Sequence, residues 1–476
     1  MKHTLSSECI DPRAARSVCV LGRGLTGNAV AAFFRALPEP PTLAQYADDD
    51  MISGSFDLAI VSPGIPPTSP LVVRAREHAR ELIGEPELAW RLSPERWIVV
   101  SGTNGKTTTT ALTAHLLNAC GMQARAAGNI GTTCIEAIQA RAAGEYLVAE
   151  LSSYQLAYAN TLSPEAAILL NITPDHLSWH GSFEAYREAK LSILERLEPG
   201  APAVIDATLE ETRAIVRARR DAGKRVIPIG TARGLRDDMT VSCGAAEAAF
   251  IDPENEMLTC VVDGHRVAVL GFGQLKIKGE HNGENALAAA AVALALGAEP
   301  RGVATGLASF EPLEHRIEPC GSVGGVAFFN DSKATNPEAT LKALAAFDDT
   351  PLLVMLGGRD KNTPLDELVK AAEVSCKVVI CYGEAGPRFA HAFEDSVRRG
   401  CIESVLVADF ATAFATAVAH ARENDAVLLS PACASFDEFT SYEQRGTVFK
   451  ACVAALSDGR DGCDCVGRGG HDGRGV

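Results

Sequence analysis

The chain has 476 residues, of which 47% are hydrophobic, so it is long enough for two to four domains with buried cores. Its 60 acidic and 44 basic residues give a formal net charge of −16. A surface this acidic argues against binding to nucleic acid or to an anionic membrane, but it leaves room for a local positive pocket that holds a small anion.

Neither an export signal nor a membrane span is evident. The N-terminal stretch lacks a long apolar core followed by a small-residue cleavage site, and no run of about 18 apolar residues occurs. The fourteen cysteines are scattered, mostly in apolar segments, and the pair Cys463 and Cys465 with His471 fits no usual zinc spacing. We therefore expect a cytoplasmic monomer with reduced thiols, no membrane insertion and no nucleic-acid partner.

The predicted elements alternate between strand and helix, which indicates an α/β fold with parallel sheets. The first block, residues 1–92, contains the strands SVCVLG and FDLAIV around the helix NAVAAFFRAL. The second, residues 93–300, contains the strands WIVVSG, YLVAEL and AAILLNI, short strands between Val226 and Gly271, and the helix GENALAAAAVALALG. The third, residues 301–456, contains VAFFND, PLLVMLGG, KVVICYG, SVLVAD and AVLLSP. Residues 457–476 are rich in Gly and Asp, so we expect a disordered tail.

A glycine loop in the first block, Gly22 to Gly27, matches G-x-G-x-x-G after a strand. Alone it indicates a dinucleotide site and an oxidoreductase that uses NAD. That reading needs an acidic residue after a second strand, but the following PPTLAQYADDD shows no clean strand and places Asp48 to Asp50 poorly. A different diphosphate-carrying ligand fits the same loop.

A second glycine turn, S-G-T-N-G-K-T at residues 101–107, follows a strand and opens a helix. In this context backbone N–H groups and the helix dipole converge on an anion, and Lys106 adds a full charge. The hydroxyl of Thr107 directly after the lysine is placed to ligate Mg²⁺. The turn is shorter than G-x-x-x-x-G-K because residue 100 is Val100, but it still predicts nucleotide phosphate binding.

Three polar positions follow strands of the same block: Asn129 in GNIG, Glu150 at the end of YLVAE, and His176 after the ILLN strand. Because carboxyl ends of parallel strands share one edge of a sheet, these side chains are expected beside the phosphate turn. Glu150 and His176 are therefore candidate Mg²⁺ ligands or groups that orient a reactant.

Lys190 lies on the apolar stripe of FEAYREAKLSILERL, between Tyr186 and Ile193. Either its ammonium reaches solvent along the helix surface, or it is buried and tends to lose its proton. A neutral buried amine can take up CO₂ and become a carbamate, which supplies an anionic oxygen to a metal site.

Ten motifs in this order resemble the Mur ligases. They are SGTNGKTTT, GNIG, ELSSYQL, NITPDHL, YREAKLSILE, GEHNGENALAA, HRIE, FFNDSKATNP, LGGRDKN and SPACASFDEFTSYEQRG. The resemblance implies an N-terminal Rossmann-like domain for a UDP-linked substrate, a central P-loop mononucleotide-binding ATPase domain, and a C-terminal Rossmann-like domain for an amino acid. It also implies an ATP-dependent amide ligase of peptidoglycan precursor synthesis that adds D-glutamate to UDP-N-acetylmuramoyl-L-alanine through an acyl phosphate and a tetrahedral intermediate.

The resemblance further implies residue roles. Lys106, His176, Lys190 and Lys333 match the catalytic positions. The positions that match ATP-binding residues are Gly102, Thr103, Asn104, Gly105, Lys106, Thr107, Thr108, Asn282, Arg316 and Asp331. The positions that match residues for the UDP substrate are Leu25, Thr26, Gly27, Gly64 and Asn129, and those that match residues for D-glutamate are Thr335, Lys361, Ser435 and Tyr442. The positions that match ligands of two Mg²⁺ ions are Thr107, Glu150, His176 and Lys190, the lysine as a carbamate.

One departure concerns the uracil. Family members that add D-glutamate commonly carry an Asp-Thr-Arg-like turn after the second strand, where this chain has PPTLAQYADDD, so no uracil contacts are assigned. The alternatives are a sibling Mur ligase or folylpolyglutamate-type ligase that adds another amino acid, the NAD oxidoreductase, and a nucleotide switch without ligase chemistry.

Overall fold

The computed structural model describes residues 9–47, 49–198, 200–231, 242–347, 350–360 and 362–460. Lys361, Asp48 and the tail residues 461–476, with Cys463, Cys465 and His471, lie outside the described residues. The chain forms two compact units: the first comprises residues 1–275 and 282–310, and the second comprises residues 276–281 and 311–476. Within the described part of the chain, no helix has the length and apolar character needed to cross a membrane.

The first unit opens with a parallel four-stranded sheet in the order β2-β1-β3-β4. Its strands are β1 (Ser17–Leu21), β2 (Thr42–Tyr46), β3 (Phe56–Val61) and β4 (Ala79–Gly84), and its helices are α1 (Leu25–Arg35), α2 (Pro70–His78) and α3 (Glu85–Leu92). The strand order reverses between β1 and β3, so the loops after these two strands flank the crevice where α/β sheets bind ligands.

The expectation that PPTLAQYADDD lacks a strand is wrong. Residues Thr42–Tyr46 form β2 and pair in parallel with all five residues of β1. The strand is at the edge of the sheet and its residues are only partly buried, so it lacks the run of large apolar residues by which a buried strand is recognised in sequence.

A nine-stranded sheet in the order β13-β12-β11-β10-β9-β8-β5-β7-β6 completes the first unit. It is parallel from β6 to β11, and β12 and β13 extend it as an antiparallel hairpin. The strands are β5 (Trp97–Ser101), β6 (Ala124–Gly128), β7 (Tyr146–Glu150), β8 (Ala166–Leu169), β9 (Ala203–Asp206), β10 (Val226–Gly230), β11 (Ala248–Ile251), β12 (Met257–Val262) and β13 (His265–Gly271).

Helices cover both faces of this parallel sheet. They are α4 (Lys106–Ala119), α5 (Cys134–Ala140), α6 (Ser153–Leu156), α7 (Leu177–His180), α8 (Phe183–Glu195), α9 (Glu210–Asp221), α10 (Glu280–Ala295) and α11 (Pro300–Ser309), with a 3-10 turn at Phe272–Gln274. Residues 301–310, assigned from sequence to the third block, pack in the first unit, where Gly302 and Gly306 of α11 approach Cys120 and Leu116.

The second unit contains a six-stranded sheet in the order β14-β15-β19-β16-β17-β18, parallel except for β14. Its strands are β14 (Glu318–Val323), β15 (Val326–Asn330), β16 (Leu352–Gly357), β17 (Cys376–Tyr382), β18 (Glu403–Leu406) and β19 (Ala426–Ala432). Its helices are α12 (Pro337–Leu344), α13 (Asp366–Ser375), α14 (Gly386–Arg398), α15 (Phe410–His420) and α16 (Tyr442–Ser457), with a 3-10 turn at Ala345–Phe347. Parallel sheets flanked by helices confirm the predicted α/β fold class.

Candidate active site

The phosphate turn lies between the end of β5 at Ser101 and the start of α4 at Lys106. Two of its glycines adopt positive φ: Gly102 at 150° and Gly105 at 83°. A Cβ on Gly102 would lie 2.7 Å from the Cβ of Leu170, and one on Gly105 would lie 2.5 Å from Oδ1 of Asn285. The turn therefore requires glycine for both conformation and space, as a backbone cradle for an anion does.

Hydrogen bonds fix the turn to the end of the neighbouring strand β8. Thr103 N donates to Asn171 O at 2.7 Å, and Asn104 N donates to Asn171 Oδ1 at 2.9 Å. The Thr103 hydroxyl lies 2.7 Å from the Tyr186 hydroxyl, and it accepts from Thr173 N at 3.0 Å. Asn171 thus holds two consecutive N–H groups of the turn in place.

The helix after the turn is tied to α10. Thr109 Oγ1 donates to Asn285 Oδ1 at 2.9 Å, and Asn285 Nδ2 donates to Asn282 Oδ1 at 3.0 Å. The ammonium of Lys106 folds back and donates to Thr103 O at 2.8 Å. These bonds bring Asn282, one of the predicted nucleotide residues, into the same network as the turn.

Lys190 is only 2% exposed, so the prediction from the helical stripe is confirmed and the solvent-reaching alternative is wrong. Its Nζ donates to Gly102 O at 2.5 Å and lies 4.7 Å from the centre of the Tyr186 ring. Burial lowers the pKa of Lys190 well below its usual value, and the charge of Lys106 lowers it further, against the opposing effects of Asp175 and Glu150. A buried lysine with one carbonyl acceptor beside a second cation is prone to lose its proton.

Glu150 ends β7 and is 2% exposed. Its Oε1 accepts from Asn129 Nδ2 at 3.0 Å, whereas its Oε2 is buried and has no hydrogen-bond partner among the described residues. A buried carboxylate oxygen left without a donor is costly, and a divalent cation would satisfy it. The donor set of this edge, a carboxylate with neighbouring hydroxyl and imidazole groups, fits Mg²⁺.

His176 begins the short helix α7 with a left-handed φ of 54°. Its Nε2 lies 3.4 Å from Asp175 Oδ2, and its ring lies 4.8 Å from the Tyr154 ring and 6.4 Å from the Tyr186 ring. This aromatic packing orients the imidazole on the same edge as the phosphate turn, as expected from the strand ends.

His180 belongs to the same cluster, although no motif or periodicity in the sequence singles it out. Its Nε2 pairs with Ser153 Oγ at 2.9 Å. Burial lowers the pKa of His180 to about 4, and His176 and Lys190 act in the same direction, so this imidazole is neutral at pH 7. Its uncharged ring lies 5.4 Å from the Tyr186 ring and 5.7 Å from the Tyr154 ring.

In the first sheet, the glycine loop after β1 faces the loop after β3. A Cβ on Gly22 would lie 2.4 Å from Ser62 Oγ, and a Cβ on Gly27 would lie 2.1 Å from Gly22 O. Leu25 is 66% exposed, so the loop presents an apolar side chain at the mouth of the crevice. A cavity of about 360 Å³ adjoins this loop pair, lined by Asp49, Gly64, Ile65, Pro66, Ser69, Pro70 and Leu71.

One of the acidic residues considered for a dinucleotide ribose, Asp50, is already engaged. Asp50 Oδ2 accepts from Arg23 Nη2 at 2.7 Å and from Ala47 N at 2.9 Å. Arg23 comes from the glycine loop itself, so Asp50 closes an internal ion pair between two loops, whereas Asp49 lines the cavity together with Gly64. The engagement of Asp50 weakens the NAD alternative.

In the second unit, the segments that follow the carboxyl ends of β15 and β19 carry the other predicted residues that the structure describes. Ser435 is 2% exposed and its hydroxyl is buried without a hydrogen-bond partner among the described residues. Lys333 Nζ lies 3.8 Å from the centre of the Tyr442 ring, and Thr335 N donates to Lys333 O at 2.8 Å. Lys333, Thr335, Ser435 and Tyr442 thus share one edge of this sheet.

Asp331 follows β15 and is buried at 7% exposure. Ser430 Oγ donates to its Oδ2 at 2.8 Å, and Ile317 N donates to its Oδ1 at 3.3 Å. Burial raises the pKa of Asp331 to about 7, against the bond from Ser430 and the charge of Arg316. Arg316 lies close enough to lower this pKa, which brings two of the predicted nucleotide residues together.

Arg445 was missed from sequence although it is one of the most buried side chains in the second unit, at 0% exposure. Its guanidinium donates to Ser332 Oγ and Ser332 O at 2.9 Å each, and to Cys433 O at 3.2 Å and Ala434 O at 3.4 Å. Its position in the first turn of α16, where a cation opposes the helix dipole, was the available signal.

The fold and this edge are those of an α/β protein with a glycine-lysine turn suited to a phosphate and a buried carboxylate oxygen suited to a divalent cation. Family models agree: residues 100–293 match the Mur ligase middle domain, and residues 315–433 match the Mur ligase glutamate ligase domain. A relative from Thermoanaerobacter pseudethanolicus, named UDP-N-acetylmuramoylalanine–D-glutamate ligase, is 36% identical over 84% of this chain and 84% of its own length. A relative of the same name from Pelotomaculum thermopropionicum is 35% identical over 93% of this chain and 98% of its own length.

Among solved structures, the UDP-N-acetylmuramate-alanine ligase MurC from Thermotoga maritima covers 93% of this chain and 100% of its own, with a TM-score of 0.56 and 18% identity. That likeness concerns the fold. The chain belongs to the Mur ligase family.

Proposed function

We propose that the chain joins D-glutamate to UDP-N-acetylmuramoyl-L-alanine at the expense of ATP, the activity after which its relatives are named. The observation that carries the proposal is the phosphate turn with buried Lys190 bonded to its Gly102 carbonyl, together with buried Glu150, whose charge acts on Lys190 and whose Oε2 has no hydrogen-bond partner among the described residues. The oxidoreductase alternative loses support because the family consists of ligases and Asp50 is occupied by Arg23.

The first chemical step transfers the γ-phosphoryl group of ATP to the alanyl carboxylate. Asn171 holds the N–H groups of Thr103 and Asn104, so the N–H groups of Gly105 and Lys106 at the start of α4 cradle the phosphates. Lys106 swings from Thr103 O to neutralise the β- and γ-phosphates. Thr108 follows at the start of the same helix. Asn282 is in contact with the turn through Asn285, and we assign it, Arg316 and Asp331 to the nucleotide.

Mg²⁺ fits this edge, because the buried Oε2 of Glu150 needs a partner. We propose that Glu150, Thr107 and His176 hold two Mg²⁺ ions together with modified Lys190. When bound, these ions would offset the charge that develops on the transferred phosphoryl group. Asn129 holds the Glu150 carboxylate in place, and we propose that it also contacts the UDP substrate.

We propose that Lys190 is a carbamate in the active protein. Its neutral amine attacks CO₂, one C–N bond forms, and one proton leaves, so a cation is replaced by an anionic oxygen donor. Burial and the nearby charge of Lys106 both favour the neutral amine that this reaction requires. The carbamate also places a negative charge near partly buried Lys106, where a protonated Lys190 would be repelled.

The second step needs an amino acid with two carboxylates. Thr335, Ser435 and Tyr442 offer hydroxyl donors on one edge of the second sheet, with Lys333 as the nearby cation. Lys361 remains a predicted contact. The amine of D-glutamate attacks the acyl phosphate carbon, and the tetrahedral intermediate collapses with loss of phosphate.

The UDP moiety is assigned to Leu25, Thr26 and Gly27 in the first turn of α1 and to Gly64 in the turn after β3, which follow the two strands that flank the strand-order reversal of the first sheet. The loops approach so closely that a side chain on Gly22 or Gly27 would fill the space between them.

The test is phosphate release by the purified chain supplied with ATP, Mg²⁺ and UDP-N-acetylmuramoyl-L-alanine. We expect release only when D-glutamate is added, with L-glutamate and a diamino acid as matched controls. Equal turnover with either control would reject D-glutamate in favour of a sibling activity. Phosphate release without any amino acid would favour a nucleotide switch.

A further inference from the structure

Trp179 lies three residues after His176, in the short helix α7, at the centre of an aromatic row. Its ring stacks on Tyr154 with the ring centroids 4.4 Å apart and an interplanar angle of 24°. Its other neighbour, Tyr158, meets it edge-on at a centroid distance of 6.1 Å. The indole Nε1 of Trp179 is buried and has no hydrogen-bond partner among the described residues, so ring contacts hold this side chain in place.

The Tyr158 end of the row is fixed to the turn that follows β3. Tyr158 is 2% exposed, and its hydroxyl donates to Ile65 O at 2.7 Å. Ile65 follows Gly64, which is assigned to the UDP moiety, and both residues line the cavity of about 360 Å³. The backbone of Tyr158 is held as well, because its carbonyl accepts from Gly84 N at 2.8 Å. Tyr158 therefore ties the aromatic row to the backbone of the proposed UDP site.

The Tyr154 end of the row contacts His176, the predicted ligand beside the phosphate turn. The centroids of these two rings lie 4.8 Å apart. The His176 side chain is 47% exposed, and its backbone adopts a left-handed φ of 54°. Because nearly half of this imidazole faces solvent, the Tyr154 ring is a main constraint on its orientation.

Helix α7 is too short to hold His176 in place by itself. It spans only the four residues Leu177–His180, and a single helical turn is marginal without tertiary packing. Leu177 is 46% exposed, whereas Trp179 packs against the hydrophobic cluster of the first sheet, which contains Tyr158. Trp179 thus docks this turn, and with it His176, onto the sheet that carries the proposed UDP site.

We infer that Trp179 is a positioning residue that couples the UDP site to His176. Through Tyr158 it is connected to the turn after β3, and through Tyr154 it sets the orientation of the imidazole beside the phosphate turn. Occupation of the UDP site, which fixes the turn after β3, therefore orders His176 before the phosphoryl group is transferred. The inference rests on the proposed function. Aromatic rings suit this role because stacked and edge-on contacts are directional, so a shift of one ring displaces the next.

The experiment follows the His176 ring of the full chain by ¹H–¹³C NMR while UDP is added to saturation. The signal is assigned by its loss in His176→Gln. UDP lacks the alanyl group that the proposed function brings to the reacting edge, so a change at His176 has to be transmitted by the protein. We expect UDP to shift the His176 signal in the wild-type chain and to leave it at its ligand-free position in Trp179→Leu.

Activity provides a second readout of the same link. Trp179→Leu keeps an apolar side chain but removes the stack on Tyr154, so kcat should fall by about a hundredfold because His176 is misplaced. The Kd for UDP should stay near the wild-type value, since Trp179 is connected to the turn after β3 through Tyr158. A general loss of structure would instead weaken UDP binding together with kcat.

Tyr158→Phe tests the other end of the row, and it carries the test if Trp179→Leu does not fold. The substitution removes one hydroxyl and keeps the ring, so Ile65 O loses its donor. We expect the Kd for UDP to rise about fivefold and the shift of the His176 signal to shrink. A shift of wild-type size in Tyr158→Phe at saturating UDP would overturn the inference.

The matched control is Trp90→Leu, because Trp90 is 4% exposed in the core of the first unit. This variant should unfold at a lower urea concentration and keep both the Kd for UDP and the shift at His176. A shift that persists in Trp179→Leu, that is absent from the wild-type chain, or that is lost equally in Trp90→Leu would also overturn the inference. Failure of the wild-type chain to release phosphate with D-glutamate would instead reject the proposed function.

Discussion

Lys190 in the first unit and Arg445 in the second are both helical cations with almost no exposure, at 2% and 0%. Lys190 has one acceptor, Gly102 O, and burial together with the nearby charge of Lys106 lowers its pKa well below the usual value, which favours the neutral amine. Arg445 has four acceptors, and its charge cannot be removed. Burial therefore allows a lysine to become a neutral and reactive amine, whereas a buried arginine keeps its proton and its positive charge.

The largest effect is expected from substitution of Lys190. Lys190→Ala should lower kcat on the order of a thousandfold, because the anionic ligand is lost from the metal site. Short-chain carboxylates such as acetate should restore part of the activity by occupying the vacated space. Labelling with ¹³C-enriched bicarbonate should show one carbamate carbon in the wild-type chain and none in the variant.

Lys224→Ala is the control for Lys190, since Lys224 is an exposed lysine paired with Glu195 at 3.1 Å. It should keep both the label and the activity. Full activity of Lys190→Ala, or a carbamate signal that survives the substitution, would remove the basis of the contrast with Arg445.

Substitution of Glu150, whose Oε2 has no hydrogen-bond partner among the described residues, is expected to give the next largest effect. Glu150→Gln should raise the Mg²⁺ concentration needed for half-maximal activity by about a hundredfold, because an amide oxygen is a poorer ligand than a carboxylate. Glu145→Gln, just before the opposite end of the same strand, should leave the magnesium dependence unchanged. Equal magnesium requirements for wild type and Glu150→Gln would contradict the assignment.

The carbonyl that Lys190 contacts belongs to a turn that depends on glycine, and this dependence can be tested separately. Gly105→Ala should raise the KM for ATP by about tenfold, because the new Cβ meets Asn285 and the φ of 83° is strained for alanine. Gly121→Ala is matched, since Gly121 follows α4 with a φ of 75° and nothing within 4 Å. It should lower stability slightly without changing the KM; the same rise in both variants would show that backbone strain alone is responsible.

Glu85 is a buried acid whose proton affinity, like that of Lys190, differs between the folded and unfolded states. Glu85 is 1% exposed and accepts from Ile135 N at 2.5 Å, and burial raises its pKa to about 7. The folded state therefore binds more protons than the unfolded state, so the stability contributed by protonated Glu85 is lost as pH rises from about 4.5 to about 7.

Glu85→Gln should flatten this dependence and stabilise the first unit at pH 8 relative to wild type by about 1–3 kcal/mol, with little change at pH 4.5. The free energy of unfolding by urea at several pH values provides the measurement. Glu39→Gln, an exposed acid, should follow the wild-type curve. A Glu85→Gln curve that is parallel to wild type would show that Glu85 keeps an ordinary proton affinity.

Sequence reasoning succeeded where periodicity or a turn determines the chemistry. The stripe position of Lys190 and the strand–turn–helix context of residues 101–107 are local signals, and the structure agrees with both. It failed at β2, because an edge strand carries few buried residues, and at Arg445, because its partners are carbonyls of loops up to 113 residues away in sequence. Such long-range backbone contacts leave no pattern in a single sequence.

The central claim is that ATP converts the alanyl carboxylate into an acyl phosphate that D-glutamate then attacks. The direct measurement supplies UDP-N-acetylmuramoyl-L-alanine labelled with ¹⁸O in that carboxylate and analyses the released phosphate by ³¹P NMR. Our account predicts one ¹⁸O atom in each phosphate, because the carboxylate oxygen leaves with it. Phosphate free of ¹⁸O, released while the amide forms, would contradict the account.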